Sequence, residues 1–284
     1  MKQLGRREFI KYLAGSAGLL ALSKYTGLPL TFNGKAAAQP SILPAKTTTR
    51  PAEAVANPKN KFAMVIDVGA CIGCRTCMYG CKEENTIPDA ISPLWIEVFE
   101  LQPEGGVTGH PSPIDLKKGA TTSYTQAPKE GRWYLPVHCN HCANPPCVKV
   151  CPTGATYKDE DGLVLMHYDR CVGCRLCVVA CPYSARRFNW TKPSVPAENV
   201  NPLVPVRPIG VVEKCTFCSH RTRLGKLPKC VEVCPVRAKH FGNLNDPESE
   251  VSKLLEENLS FRLLEEANTE PNIFYITRGK KWTS

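Results

Sequence analysis

Hydrophobic positions along this chain come in short bursts separated by polar, proline-rich stretches. The first burst, from Tyr12 to about Leu22, is broken by Gly15 and Gly18 and closed by Lys24. It is shorter than the roughly 20 apolar residues of a spanning helix. Residues 39–60, with Pro40, Pro44, Pro51 and Pro58, predict an irregular lead-in. The run Lys61-Phe62-Ala63-Met64-Val65-Ile66-Asp67 predicts a short strand, and Leu163-Val164-Leu165-Met166-His167-Tyr168-Asp169 repeats the arrangement. Each run leads into a cysteine loop, so strand, cysteine loop and short helix form the repeated unit. Residues 91–131, with Gly105-Gly106 and several prolines, predict a surface insertion, and the stretch from Tyr183 to Lys214 predicts a crossover. Asp246-Pro247 offers an N-cap and first helical position ahead of Val251, Leu254, Leu255, Leu259, Leu263 and Leu264, which predicts one or two amphipathic helices. Asn272 to Ile276 predicts a last strand, and after the leader no apolar run reaches 18 residues.

The cysteines change this picture most. All sixteen fall into four quartets: Cys71/Cys74/Cys77/Cys81, Cys139/Cys142/Cys147/Cys151, Cys171/Cys174/Cys177/Cys181 and Cys215/Cys218/Cys230/Cys234. Cubane iron takes one soft thiolate per iron, and C-x2-C-x2-C lets one tight loop present three sulfurs while the fourth comes from elsewhere. Pro152, Pro182 and Pro235 follow the last cysteine of three quartets and suit a chain direction that aims that thiolate away from its own loop. Lys82 stands in the corresponding place of the first quartet. C-x2-C pairs also build zinc ribbons, but the regular fourth Cys followed by Pro favours iron-sulfur ligation. His138 and His141 flank the second quartet and read as hydrogen-bonding or surface residues, because four thiolates are already available. The arginines and lysines near the motifs, among them Arg75, Arg175, Arg186 and Lys214, read as solvated, and Tyr183 and Trp190 as packing residues.

Gly5-Arg6-Arg7-Glu8-Phe9-Ile10-Lys11 resembles the twin-arginine signal of bacterial export, and Ala36-Ala37-Ala38 supplies a small-residue cleavage site. The alternatives are a general secretory signal or a leader kept as an anchor. Export in the folded state suits sixteen free thiols, which would oxidise to disulfides if they were threaded unfolded into an oxidising space. The expected location is therefore the periplasm or the outer face of the cytoplasmic membrane. The leader holds six basic residues and one acid, so the formal charge falls from +10 for the whole chain to +5 from Gln39 onward. Four oxidised cubanes with their thiolates, at about −2 each, would bring it to about −3, which gives no support to a nucleic-acid partner.

The ordered spacings C-x2-C-x2-C-x3-C, C-x2-C-x4-C-x3-C-P, C-x2-C-x2-C-x3-C-P and C-x2-C-x11-C-x3-C-P resemble the four-cluster electron-transfer (beta) subunit of the DMSO reductase and polysulfide reductase family, over roughly residues 61–245. The resemblance implies an α+β fold of two bacterial-ferredoxin-like domains in tandem, one nested in the other. Residues 61–90 together with 205–245 form the first and residues 132–204 the second. Residues 1–38 are the leader, 39–60 the lead-in, 91–131 the insertion and 246–284 a C-terminal helical tail. It also implies four 4Fe-4S clusters. One would lie on Cys71, Cys74, Cys77 and Cys234, and one on Cys215, Cys218, Cys230 and Cys81. A third would lie on Cys139, Cys142, Cys147 and Cys181, and a fourth on Cys171, Cys174, Cys177 and Cys151.

No G-x-S-x-G, H-E-x-x-H, P-loop or G-x-G-x-x-G motif is found, and no cysteine is left over as a nucleophile. The expected role is thus non-catalytic: relaying single electrons in anaerobic respiration. The resemblance implies an integral-membrane quinone-binding or cytochrome subunit on one side and a catalytic or redox partner, such as a molybdopterin subunit, on the other. A sulfur-metabolism complex is the favoured setting. The alternatives are a free periplasmic ferredoxin-like carrier and an iron-sulfur enzyme with its own substrate site.

Overall fold

The computed structural model describes residues 55–91, 93–101, 107–108 and 131–278. The expected leader, and most of the expected insertion, lie outside the described residues. The strands are β1 (Phe62–Asp67), β2 (Glu97–Leu101), β3 (Val107–Thr108), β4 (Trp133–Val137), β5 (Thr156–Lys158), β6 (Val164–Met166), β7 (Arg187–Phe188), β8 (Val212–Glu213), β9 (Lys239–Asn243) and β10 (Ile273–Ile276). The helices are α1 (Thr76–Glu84), α2 (Pro146–Lys149), α3 (Leu176–Val179), α4 (Ser219–Thr222), α5 (Lys229–Glu232) and α6 (Glu250–Glu257). Most helices are a single turn, because proline and left-handed residues interrupt the chain around every cysteine loop.

β1 is the centre of a sheet of order β10-β1-β9, antiparallel to β9 and parallel to β10. Every residue of β1 is buried because both faces are covered, which is why it reads as a continuous apolar run. Met64, Ile66, Ile273 and Tyr275 face the main core. Val65 and Ile276 face Val251 and Leu254 of α6. Burying such side chains contributes about 1.5–3 kcal/mol each.

The expected strands at residues 61–67 and 272–276 thus form, whereas the run at 163–169 gives only the three-residue β6 before a 3-10 turn at Tyr168–Arg170. Two expectations are corrected. The segment expected as a surface insertion begins in the core: Leu94, Trp95, Ile96 and Val98 are buried, and β2 pairs with β4. Among the described residues the C-terminal tail holds one α-helix, as the expected one or two allow, but it is capped by Ser249 rather than Asp246, with the Ser249 Oγ accepting from the Ser252 N–H at 3.3 Å. Asn258 ends the helix in an extended conformation, its Nδ2 donating to the Leu254 carbonyl. Leu259 is therefore 97% exposed, and Phe261 pairs with Tyr275 instead of continuing the helix.

Candidate metal centres

Space redistributes the quartets. Cys71, Cys74 and Cys77 line one cavity, and the fourth cysteine in its wall is Cys234 rather than Cys81. A second cavity is lined by Cys139, Cys142 and Cys147 with Cys181, and a third by Cys171, Cys174 and Cys177 with Cys151. The remaining cysteines, Cys81, Cys215, Cys218 and Cys230, are all buried. The Asn85 Nδ2 lies 3.6 Å from the sulfurs of both Cys81 and Cys218, which fixes those two at one locus. Burial pushes the Cys81 thiol well above its ordinary range, and the neighbouring thiols of Cys215, Cys218 and Cys230 push it further.

Two loop types build these walls. In Cys71-Ile72-Gly73-Cys74-Arg75 and Cys171-Val172-Gly173-Cys174-Arg175, the glycine and the arginine both take left-handed conformations, with φ of 70° and 61° in the first loop and 69° and 61° in the second. A Cβ on Gly73 would lie 2.3 Å from the Tyr134 ring, and one on Gly173 would lie 2.3 Å from the Gly210 carbonyl oxygen, so both positions need glycine for space as well as for φ. α1 and α3 begin directly after these arginines. The second type is the repeated P-x-C-V-x-V-C-P of residues 145–152 and 228–235, in which Pro145 and Pro228 precede α2 and α5. His141 and Phe217 hold the same place in their C-x2-C loops, both left-handed (φ 43° and 50°), and stack with ring centroids 4.0 Å apart.

Both histidines are buried rather than at the surface. The His141 Nδ1 accepts from the Val164 N–H at 3.1 Å, so its proton sits on Nε2, which donates to the Cys215 carbonyl at 3.0 Å. Burial, reinforced by Lys214, holds its pKa well below the usual range. The His138 Nδ1 lies 3.1 Å from the Cys139 carbonyl, and burial together with Lys239 keeps this ring neutral as well. Neither ring lines one of the three cysteine cavities.

Arg186 and Lys214, expected in solvent, are buried, and so is Lys239, which the sequence did not single out. Lys239 lines the first cavity, and among the described residues its Nζ has no hydrogen-bond partner. Burial opposes its charge, but the thiols of Cys77, Cys230, Cys71 and Cys215 outweigh burial and push its pKa up to about 12. Arg186 lines the second cavity, and its Nη1 donates to Thr156 Oγ1 (3.1 Å) and Met166 Sδ (3.2 Å), both residues of the third cavity's wall. Its Nη2 has no partner. A sequence signal for both exists. Each stands five residues after the last cysteine of its quartet, in Cys181-Pro182-Tyr183-Ser184-Ala185-Arg186 and Cys234-Pro235-Val236-Arg237-Ala238-Lys239. Trp190, expected as a packing residue, packs edge-on to Phe188 and beneath Arg175 while 67% exposed.

A buried carboxylate organises the surroundings of the innermost cysteines. Glu213 accepts from Arg207 Nη2 (2.8 Å), Trp95 Nε1 (3.2 Å) and Asn189 Nδ2 (2.6 Å). Arg207 Nη1 in turn donates to the Asn85 carbonyl at 2.6 Å, which holds the amide that faces Cys81 and Cys218. Backbone N–H groups point at sulfur elsewhere: Ala238 at Cys234 (3.3 Å), Thr156 at Cys151 (3.4 Å) and Phe217 at Cys215 (3.4 Å).

The donor chemistry fits an iron-sulfur cluster. No carboxylate or imidazole shares the cavity walls with the four cysteines, so the ligands are soft sulfur throughout. Among the described residues no three metal-binding side chains close on a single point as one ion requires. The sulfurs stand around a space instead. The buried Lys239 and Arg186 beside these cavities, which have no carboxylate partner among the described residues, are suited to an anionic occupant.

Residues 132–197 and 205–244 match the family model of the 4Fe-4S dicluster domain. The chain is 43% identical, over 78% of its length and 83% of the relative's, to a protein of Halobacterium salinarum designated as an iron-sulfur subunit of dimethyl sulfoxide reductase. It is 37% identical to the Hdr-like menaquinol oxidoreductase iron-sulfur subunit 1 of Archaeoglobus fulgidus, over 88% of this chain and 97% of that one. The menaquinone reductase iron-sulfur cluster-binding subunit of Nitratidesulfovibrio vulgaris is 39% identical, over 79% of this chain and 91% of its own.

Proposed function

Because the chain belongs to the family of iron-sulfur electron-transfer subunits of DMSO-reductase-type respiratory complexes, we propose that it carries four 4Fe-4S clusters in two ferredoxin-like units, one nested in the other. It is an electron-transfer subunit, and the chemistry on substrate belongs to a catalytic partner. Bound clusters supply one-electron storage at each site. The ligand sets are Cys71, Cys74, Cys77 with Cys234; Cys215, Cys218, Cys230 with Cys81; Cys139, Cys142, Cys147 with Cys181; and Cys171, Cys174, Cys177 with Cys151. The observation that supports this most is the makeup of three cavity walls, in which three cysteines of one quartet meet the last cysteine of another.

The protein's own residues hold and shield these sites. The left-handed loops aim three thiolates inward, the prolines turn the fourth toward the neighbouring site, and the N–H groups at Cys151, Cys215 and Cys234 favour the more negative, reduced state. Electrons pass between a quinone- or cytochrome-bearing membrane subunit and a catalytic or redox partner. Among the described residues no helix is long and apolar enough to cross a membrane, so membrane contact is assigned to that partner or to a retained leader. The twin-arginine leader sends the protein to the outer face of the cytoplasmic membrane.

Two measurements test this reading. Iron and sulfide analysis with EPR of the anaerobically purified, reduced protein is expected to give four cubanes, and a dominant three-iron signal contradicts it. Gentle detergent extraction followed by mass spectrometry is expected to recover a membrane subunit with the chain. A protein that runs alone and fully soluble favours the free carrier instead.

A further inference from the structure

From the placement of two buried side chains we infer that Lys239 and Arg186 are paired electrostatic tuners, each a fixed positive charge set between the two cluster sites of one ferredoxin-like unit. Each raises the reduction potentials of both clusters in its own unit. The inference rests on the proposed ligand sets.

The geometry is the same in both units. Each cation stands five residues after the cysteine that completes a cavity, Cys234 for Lys239 and Cys181 for Arg186, and each lines that cavity. Each also reaches the neighbouring site. Lys239 lines the wall with Cys71 and Cys77 of one proposed set and opens β9, which packs against the α5 turn that carries Cys230 of the other. Arg186 lines the wall built by Cys139, Cys142, Cys147 and Cys181, and its guanidinium bonds Thr156 and Met166 in the wall built with Cys151. Neither side chain has a carboxylate partner: among the described residues the ion pairs of this chain involve other cations. Among the described residues Lys239 Nζ and Arg186 Nη2 have no oxygen or nitrogen acceptor, and the Arg186 guanidinium faces the thiols of Cys147 and Cys177. A buried cation left without a counter-ion is costly unless something nearby carries negative charge.

The unit's other half shows the contrast. Five residues after Cys151 the chain places neutral Thr156, and five after Cys81 neutral Thr86, so each unit holds one such cation and not two. Reduction adds one negative charge to a cluster. A cation that is buried and therefore weakly screened favours the reduced form over the oxidised one. Set between two sites, it attracts the added electron on either one, which offsets their unchanged mutual repulsion when both are reduced.

The test is potentiometric titration of the full chain in its detergent-extracted complex, reduced stepwise with dithionite and followed by EPR, with iron content measured on every sample. Lys239→Met is expected to lower the midpoint potentials of two clusters and leave the other two unchanged. Arg186→Met is expected to lower the complementary two. Charge-keeping Lys239→Arg and Arg186→Lys are expected to stay near wild type. Unmoved potentials in either methionine variant at full iron content overturn the inference, as does an equal shift in the charge-keeping variants, which would mark a packing role. Where a methionine variant fails to hold iron, Lys239→Gln and Arg186→Gln keep a polar head and carry the same prediction. Wild-type protein with fewer than four cubanes overturns the ligand sets instead, a result visible before any variant is made.

Discussion

The locus of Cys81, Cys215, Cys218 and Cys230 and the cavity of Cys151, Cys171, Cys174 and Cys177 use the same donor atoms in opposite surroundings. At the first, every cysteine is buried, and the Cys81 and Cys215 thiols are pushed far up, chiefly by burial. At the second, Cys174 is exposed and Cys151 and Cys171 are half-buried. Burial works against the Cys151 thiolate there too, but hydrogen bonds from Thr156, Thr153 and Ala155 outweigh it and lower the pKa. Val172, in the wall of this outer cavity, stands in solvent, and so does Val179, two residues after Cys177. The inner site is thus suited to exchange electrons with its neighbours inside the chain, and the outer one with another protein.

The contrast breaks first at the ligands. Cys81→Ser is expected to lose more than one cluster and most of the cooperative fold, because a ligand joining distant segments is removed from a fully buried place. Cys174→Ser is expected to leave the fold intact and to perturb one cluster, with iron content and circular dichroism reporting both cases. Next in size is the carboxylate behind the inner site. Glu213→Leu strands Arg207 in the interior and is expected to cost about 3–5 kcal/mol in thermal or denaturant unfolding. Cutting the exposed Lys253–Glu248 pair by Lys253→Ala is expected to cost under about 1 kcal/mol.

pH separates the loaded and empty chains. The Cys77 and Cys230 thiols are raised from 9.0 to about 11, mainly by burial, and Cys71 to about 12. A thiol whose pKa is higher folded than unfolded contributes stability that is full below the unfolded value and is lost as pH rises through the folded one. Whatever cooperative fold the cluster-free chain retains is therefore expected to weaken between pH 9 and 12, read by circular dichroism. The loaded chain, whose thiolates are already on iron, is expected to be flat across that window. The smallest effect is at the outer rim: Val179→Ser is expected to change stability by no more than about 0.5 kcal/mol while slowing electron exchange with a partner.

Much of this was legible in the residues. Phe62 to Asp67 and Ile273 to Ile276 announce themselves as strands, because a strand covered on both faces is apolar throughout. The cysteine spacings point to clusters because the loop geometry is local. What escaped is burial decided by distant contacts. Trp95 follows a polar, proline-bearing stretch yet is fixed by Glu213 and Arg207 from the far half of the chain. Lys239 and Arg186 look solvated in isolation, and only the walls around them reveal otherwise. Leu259 and Leu264 keep a helical apolar spacing, but Asn258 stops the helix before it reaches them.

The middle strand of the central sheet, β1, finds both its neighbours near the other end of the chain, at Lys239–Asn243 and Ile273–Ile276. During synthesis at about 5–20 residues per second, the ribosome must travel some two hundred residues beyond β1 before the sheet can close. β9 can pair with the early strand first, and the other edge stays open until residues 273–276 have been made. A chain stopped short of β10 is therefore left with one edge of its central strand unpaired.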